Sequence, residues 1–275
     1  MLGDPLAKTV VRSGRRLRVL GHAGLQNASR FSHLFVLCAA TTLHDVAPLA
    51  RAANRRHRLR ALFVRRDVGP GLLGPLLDAA AVRFSRNVVF HDGPELPARV
   101  LRAWEMGAQD RLIAEADVTN GKLIVLTCAL ERLELPLADV PPLARLPKTQ
   151  RGAFGIPSDG SYLHWPEADI HLDLDALRAV VDPAWRARLA RERATHDSQF
   201  GQAVSVLRRE HGLKQADISG VSARQVRRIE GGSLPRSETL RRLARAHGLE
   251  LGAYLDRVAA VAERLPRASD GTISA

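Results

Sequence analysis

The chain has very few cysteines for its length. Two of its 275 residues are cysteine, Cys38 and Cys128, and they lie ninety positions apart in apolar stretches. A disulfide framework or a zinc site built from thiolates needs more cysteines at closer spacing. We therefore expect neither, and predict two buried thiols in a reducing compartment.

Long apolar runs are also lacking. The longest, such as residues 34–40, are far shorter than the roughly 20 residues that a helix needs to cross a bilayer. Basic residues near the N-terminus are not followed by an apolar signal core. We expect a soluble bacterial protein with no membrane partner, located in the cytoplasm and associated with the nucleoid.

Acidic residues are outnumbered, 29 against 41 basic ones, which gives a formal net charge of +12. The excess lies at the two ends: residues 1–110 carry 17 basic and 8 acidic side chains, residues 200–275 carry 13 and 8, and residues 111–199 carry 11 and 13. Positive charge attracts nucleic acid. Because 37 of the 41 basic residues are arginine, as a GC-rich coding sequence produces, charge alone supports this only modestly.

A chain of this length suits two or three domains, each with its own core. The strand and helix patterns predict a multidomain α/β and α+β protein with an all-α C-terminal domain. Its expected parts are a small parallel α/β domain (1–110), an α+β domain with a β-hairpin (111–182), a charged helical connector (183–199), a helical domain (200–265) and a disordered tail (266–275).

The N-terminal part alternates apolar strand patterns with helical ones, as expected for a parallel α/β domain. Buried strands are predicted at 34–40, 59–64 and 87–90, an edge strand at 15–20, and helices at 45–54, 72–81 and 94–105.

Residues 69–74 match the glycine pattern of dinucleotide-binding loops, and Asp92 near the end of the next strand fits that reading. Against it, Pro70 removes one backbone donor from the loop, and residues 65–68 separate the strand from the first glycine. We favour a turn followed by a packed helix, and expect no nucleotide cofactor.

In the middle segment, residues 122–128 and 130–137 predict a β-hairpin with one solvated face. They are followed by "PPL" at 141–143 and by "LHWPEADIHLDLDALR" at 163–178. Together these motifs resemble the bacterial α+β family DUF2442, a domain of unknown function. The resemblance covers about residues 111–180 and implies no known chemistry.

Two groups of residues are candidates for a metal site or a catalytic site. The first combines imidazoles and carboxylates, which are good ligands for divalent ions: His164, Glu167, Asp169, His171, Asp173 and Asp175. Because they alternate with apolar residues, we expect a solvated strand face and no metal. The second, His196, Asp197 and Ser198, is contiguous in a charged helix, where a catalytic triad is not expected. We predict no catalytic residues and no enzymatic activity.

Residues 213–232 carry the strongest functional signal. Ser222 stands where a helix begins, with its hydroxyl able to accept a backbone N–H, and Gln225 completes a capping-box pattern. Val226 and Ile229 would face inward, and the two glycines at 231 and 232 end the helix. The outward residues are then Ala223, Arg224, Arg227 and Arg228.

An outward arginine fork matches guanine O6 and N7 in the major groove, whereas an arginine on phosphate adds affinity without sequence preference. Arg224 and Arg228 are therefore the base-reading candidates. An ordinary amphipathic surface helix in an arginine-rich protein is the competing interpretation. Further helical patterns on both sides, at 200–211 and 237–247, favour a bundle of four or five helices instead.

In the run "LKQADI…GVSARQVRRIEGG…PRSETLRRLARAHGL", residues 200–258 resemble the Cro-type, xenobiotic-response-element (XRE) family of helix-turn-helix domains. The resemblance implies DNA binding through a recognition helix. It assigns phosphate contacts to Gln215, base contacts to Ala223, Arg224 and Arg228, backbone contacts to Gln225 and Arg236, and a structural pair to Arg208 and Glu230. Only four residues separate Gln215 from Gly220, which predicts a scaffold helix about one turn shorter than the family pattern.

The sequence thus predicts a regulator of transcription, such as a repressor, that binds double-stranded DNA as a homodimer through residues 222–230. Dimer contacts are expected in the N-terminal domains or the last helix, 251–265. An alternative is an antitoxin-like module that binds a protein partner through residues 1–182 and DNA for autoregulation. A nucleotide- or metal-dependent enzyme anchored on DNA is the third hypothesis.

Overall fold

A computed structural model describes residues 8–13, 16–20, 33–85 and 87–266, with backbone only for the first two ranges. The chain divides into two compact units, Met1–Val181 and Asp182–Ala275. Among the described helices none combines the length and the apolar character that a membrane span requires. The predicted tail lies, apart from residue 266, outside the described residues.

The first unit contains a five-stranded sheet in the order β2-β1-β3-β4-β5. β3, β4 and β5 run parallel, while β1 pairs antiparallel with both β2 and β3. The strands are β1 (Lys8–Ser13), β2 (Arg16–Leu20), β3 (Leu34–Ala39), β4 (Leu59–Arg65) and β5 (Val88–His91). The predicted parallel α/β fold is confirmed, and the predicted edge strand is β2.

Helices cover both faces of this sheet. Successive side chains of a strand point to opposite faces, so Val36 and Leu62 pack under one helical layer, and Phe35 and Phe63 pack under the other. The first layer holds α1 (Leu43–Arg55) and α2 (Pro70–Ala79), and the second holds α3 (Glu95–Met106).

Two small antiparallel sheets follow, one of three strands and one of two. The predicted hairpin is confirmed as β7 and β8, and a strand that the sequence analysis missed, β6, extends it to three. The elements are β6 (Ile113–Thr119), β7 (Lys122–Thr127), β8 (Arg132–Pro136), α4 (Pro141–Ala144), β9 (Tyr162–Trp165), β10 (Ile170–Asp173) and α5 (Leu174–Val181).

The α/β part and the α+β part share one of their cores. Phe35, Phe63 and Trp104 pack in the same buried cluster as Ala114 and Cys128, and the indole N–H of Trp104 donates to the carbonyl of Cys128 at 2.9 Å. The domain boundary predicted near residue 110 therefore falls inside one compact unit, because α3 buries one face on the parallel sheet and contacts β6 as well.

The second unit is helical. Asp182 accepts hydrogen bonds from the N–H groups of Ala184 and Trp185, so it caps a helix that begins with a proline at its first position. This helix, α6, is continuous through the segment predicted as a connector and into the helix bundle. The helices are α6 (Pro183–Glu210), α7 (Ala223–Glu230), α8 (Ser237–Ala246) and α9 (Leu251–Arg264).

Candidate nucleic-acid interface

Helix α7 begins where the sequence predicts. The hydroxyl of Ser222 accepts a hydrogen bond from the N–H of Gln225 at 3.2 Å, which satisfies one of the free donors of the first turn. Val226 and Ile229 are 0% and 2% exposed in the core of the second unit. Their burial fixes which side of this eight-residue helix faces solvent.

The solvent face of α7 is strongly basic. Arg224, Arg227 and Arg228 are all exposed, and Arg224 and Arg228 stand one turn apart on the side opposite Val226. Within the described ranges none of these three arginines forms an ion pair, so their guanidinium groups are available to an anionic partner. An α-helix with its side chains is about 10–12 Å in diameter, which fits the width of the DNA major groove.

Arg227 has a second environment. It borders a cleft of about 420 Å³ that also touches Arg209 of α6, Glu230 and Leu265. Its side chain therefore lies at the edge of the basic face.

The last turn of α7 is tied to α6 by a buried ion pair. The guanidinium of Arg208 donates to the carboxylate of Glu230 through Nε at 2.5 Å and Nη2 at 3.2 Å, and both side chains are 9% exposed. Burial opposes ionisation of Glu230, but hydrogen bonds from Arg208 and Gln215 outweigh it and lower the pKa of this carboxyl. The pair stays charged and holds α7 at a fixed angle to α6.

The scaffold element before α7 is short, as the spacing of Gln215 and Gly220 predicts. It is a single 3-10 turn, Gln215–Asp217, closed by the carboxylate of Asp217 accepting from the N–H of Lys214 at 2.7 Å. Gln215 is half-buried, and its amide donates to Glu230 at 2.6 Å. The structure thus gives Gln215 an internal partner, and its contact with phosphate remains a prediction.

Gln225 and Arg236 occupy different settings. The amide of Gln225 donates to the hydroxyl of Thr239 on α8 at 3.3 Å, so this side chain joins two helices instead of closing the capping box on Ser222. Arg236 is the exposed residue that precedes α8. Ala223, at the first position of α7, is half-buried.

Two residues that support α7 were not predicted from the sequence. Arg242 on α8 donates to the carbonyl of Gly220 and, at 3.3 Å, to Glu238, so it holds the turn that leads into α7. Thr239 is the 8% exposed partner of Gln225. Their spacing on α8 signals only an amphipathic helix, and neither contact can be found without the tertiary arrangement.

The glycine-rich segment of the first unit does not form a phosphate loop. Gly69 precedes α2, and Gly71 and Gly74 lie within that helix. Asp92 accepts two hydrogen bonds from Arg66, at 2.8 Å and 2.5 Å. The carboxylate that fits the dinucleotide-binding pattern is therefore held by a guanidinium.

The other candidate groups of the sequence separate in the structure. His164, Asp169 and His171 come together on β9, β10 and the turn between them, whereas Asp173 accepts from the N–H of Ala176 at 2.7 Å and caps α5. Glu167 accepts from Gln150, and Asp175 lies in α5. His196, Asp197 and Ser198 follow one another along α6.

Two segments of the chain match known families. Residues 113–182 match a protein family of unknown function, DUF2442, and residues 206–253 match a helix-turn-helix family. Both resemblances seen in the sequence are thereby confirmed, and the second unit contains an XRE-type helix-turn-helix domain. No curated protein and no solved structure matches the chain.

Proposed function

We propose that this protein is a sequence-specific regulator of transcription that inserts α7 into the DNA major groove. Its C-terminal helix-turn-helix domain is of a DNA-binding type. In the proposed complex Arg224 and Arg228 read base edges, while Ser222, Gln225, Arg227 and Arg236 contact the phosphate backbone beside them.

The observation that carries the proposal is the placement of Arg224 and Arg228. They lie one turn apart on the exposed face of α7, and no carboxylate pairs with them in the part of the chain that the structure describes. The acidic residue of the same helix, Glu230, is instead held by Arg208. The exposed charged side chains of α7 are therefore all arginines, which suits contacts with guanine edges.

The proposed active form is a homodimer. One recognition helix covers only a few base pairs, and two of them on half-sites one helical turn apart multiply specificity. We assign the dimer contacts to the first unit or to α9, where Leu255 is 36% exposed. Sedimentation of the free protein and of the DNA complex gives the stoichiometry directly.

We assign no catalytic role to the first unit. Burial raises the pKa of both thiols, Cys38 and Cys128, to about 12, so neither supplies a thiolate nucleophile near neutral pH. The role proposed for this unit is dimerisation, partner binding or sensing. If it bound a toxin-like protein instead, a stoichiometric partner would co-purify with the full-length chain.

The test is enrichment of fragmented genomic DNA on the purified full-length protein at near-physiological salt, followed by sequencing. We expect a short inverted repeat to be recovered by the native protein and lost with the Arg224→Ala/Arg228→Ala variant. The matched control is Arg191→Ala/Arg193→Ala, which removes the same charge from exposed positions of α6, outside α7 and outside both proposed dimer regions.

The proposal is supported if the native and control proteins recover the same site and the Arg224→Ala/Arg228→Ala variant does not. Equal loss in both variants would mean that general charge attraction, and not α7, provides the binding. If the native protein enriches no site, the result contradicts the proposal and favours the antitoxin-like or enzymatic hypotheses.

A further inference from the structure

The outer face of the β9–β10 hairpin carries two histidines directly opposite each other. His164 and His171 are register partners in this antiparallel pair. The N–H and C=O of His164 both bond to Gly155, at 3.0 Å and 2.9 Å, so His164 and His171 form a non-hydrogen-bonded pair, the type in which side chains lie closest. Their rings stack with centroids 4.2 Å apart and planes at 14°.

A carboxylate completes the group. Asp169 is the last residue of the turn before β10 and has a left-handed backbone, with φ of 50°. Its Oδ1 lies 3.9 Å from Nδ1 of His171. One ligand atom from each of His164, Asp169 and His171 lies within 4.8 Å of the other two, and among the described residues these three make the one group of this kind.

The inner face of the hairpin shows why these side chains point outward together. Leu163, Trp165 and Leu172 are buried in the core of the α+β part, and strand alternation turns the intervening residues to the other face. The edge of the Tyr162 ring stands against His171, with centroids 5.1 Å apart. The hairpin core thus fixes the backbone, and an aromatic ring supports one imidazole.

We propose that His164, Asp169 and His171 bind one divalent transition-metal ion of the Zn²⁺ type. Two imidazoles and a carboxylate form a ligand set that suits zinc and its neighbours, whereas Mg²⁺ and Ca²⁺ take oxygen ligands. Around zinc, ligand atoms lie roughly 3.3 Å apart in a tetrahedron. The exposed side chain of Asp169 and the half-exposed side chain of His171, 94% and 47% accessible, can close that gap by rotation.

The site would be an exchangeable one. Three protein ligands leave at least one coordination position for water or another ligand, and all three side chains lie on the surface of the hairpin. The ion therefore binds to a backbone that is already folded and is not required for folding. This separates the proposal from the assignment of DNA binding, which concerns the other unit.

The test is titration of Zn²⁺ into tag-free, chelator-treated full-length protein by calorimetry, with Co²⁺ absorption as a second readout of coordination. We expect one ion per chain for the native protein, loss of that binding in His164→Ala/His171→Ala, and a fall in affinity of about tenfold or more in Asp169→Asn. Equal far-UV circular dichroism and melting temperature of all variants show that the fold is retained.

His44→Ala is the matched control. His44 is an exposed histidine with a carboxylate, that of Asp45, at 2.9 Å, but it is not part of a three-residue group in the described chain. Its replacement should leave Zn²⁺ affinity unchanged. Absence of binding by the native protein, or equal affinity in the native protein and His164→Ala/His171→Ala, overturns the proposal and leaves the stacked histidines as packing alone.

Discussion

The α-carbon of Gly201 on α6 lies against the backbone of Ile229 at the end of α7. A β-carbon at position 201 would stand 2.5 Å from the carbonyl oxygen of Ile229 and 2.7 Å from that of Glu230. Only a residue without a side chain permits this approach. Helix α7 is thus set against α6 by the close approach at Gly201 and by the Arg208–Glu230 pair, in addition to the apolar core that the two helices share.

Gly201→Ala is expected to destabilise the second unit by about 1–3 kcal/mol, since the added methyl must push α7 away from α6. Because α7 moves, affinity for the cognate DNA site should fall as well. Urea unfolding followed by far-UV circular dichroism and binding isotherms measure the two effects.

Gly252→Ala is the comparison for that substitution. Gly252 lies in α9 with no neighbour within 4 Å of the added carbon. Alanine there should be neutral or stabilise by up to about 1 kcal/mol, because it reduces the freedom of the unfolded chain. Equal effects of the two substitutions would contradict the close approach at Gly201.

Glu230→Gln should destabilise the second unit by about 3 kcal/mol, because it leaves the guanidinium of Arg208 buried without its counter-charge. Arg208 also donates to the carbonyl of Leu213 at 2.6 Å, so the loss extends to the turn before α7. Denaturant unfolding of the full-length protein is the measurement.

A double-mutant cycle isolates this pair. Arg208→Met/Glu230→Leu removes both charges and should cost less than the sum of Arg208→Met and Glu230→Leu measured separately. Additive costs would show that the two side chains act independently, contrary to the bidentate geometry.

Stability of the second unit should decrease with acidification because of His247. Burial lowers the pKa of this imidazole, and His211, Arg208 and Arg257 lower it further against the opposing hydrogen bond to the carbonyl of Leu243. Below about pH 6.5 the unfolded chain binds the proton more readily than the folded one, so unfolding is favoured as pH falls. The contribution is fully present above that pH.

Unfolding midpoints at several values between about pH 5 and pH 7.5 check this sign; one proton gives a slope of at most about 1.4 kcal/mol per pH unit. His247→Gln should flatten the slope, and His196→Gln, an exposed histidine of α6, should not. A slope unchanged by His247→Gln would assign the effect to other groups.

Gln215→Ala and Arg228→Ala should differ in their effects on DNA binding. Loss of Arg228 is expected to lower affinity for the cognate site by about 1–3 kcal/mol and to spare random duplex, because a base contact is lost. Loss of Gln215 should weaken both duplexes about equally if it contacts phosphate. Parallel isotherms on the two duplexes measure this, and equal selectivity of native protein and Arg228→Ala would remove Arg228 from the base-reading set.

Local sequence patterns were sufficient for most elements. The strands β3, β4, β5, β7 and β8 and the start of α7 at Ser222 were predicted because apolar period and capping residues act within a few residues. Strand β6 was missed because its exposed residues are polar and because its partner strand, β7, comes to lie beside it only on folding. Strand β1 was missed as well, and the structure describes only its backbone.

The candidate interface likewise combines features that the sequence predicts with contacts that only the fold determines. The outward direction of Arg224 and Arg228 follows from the helical period that buries Val226 and Ile229. The partners of Gln215 and Gln225 could not be predicted, because Glu230 and Thr239 lie 15 and 14 residues away along the chain. A polar side chain forms a hydrogen bond with whichever partner folding brings near it. The spacing of residues along the sequence does not indicate that partner.

The sequence by itself determined the helix-turn-helix domain, the parallel α/β pattern and the basic face of α7, because each rests on interactions between residues close in the chain. Only the tertiary structure decided that the α/β and α+β parts share a core through Trp104, that a glycine sets α7 against α6, and that His164, Asp169 and His171 meet. Those relationships depend on side chains that become neighbours when strands pair and helices pack, and burial of apolar surface fixes them without a local signature.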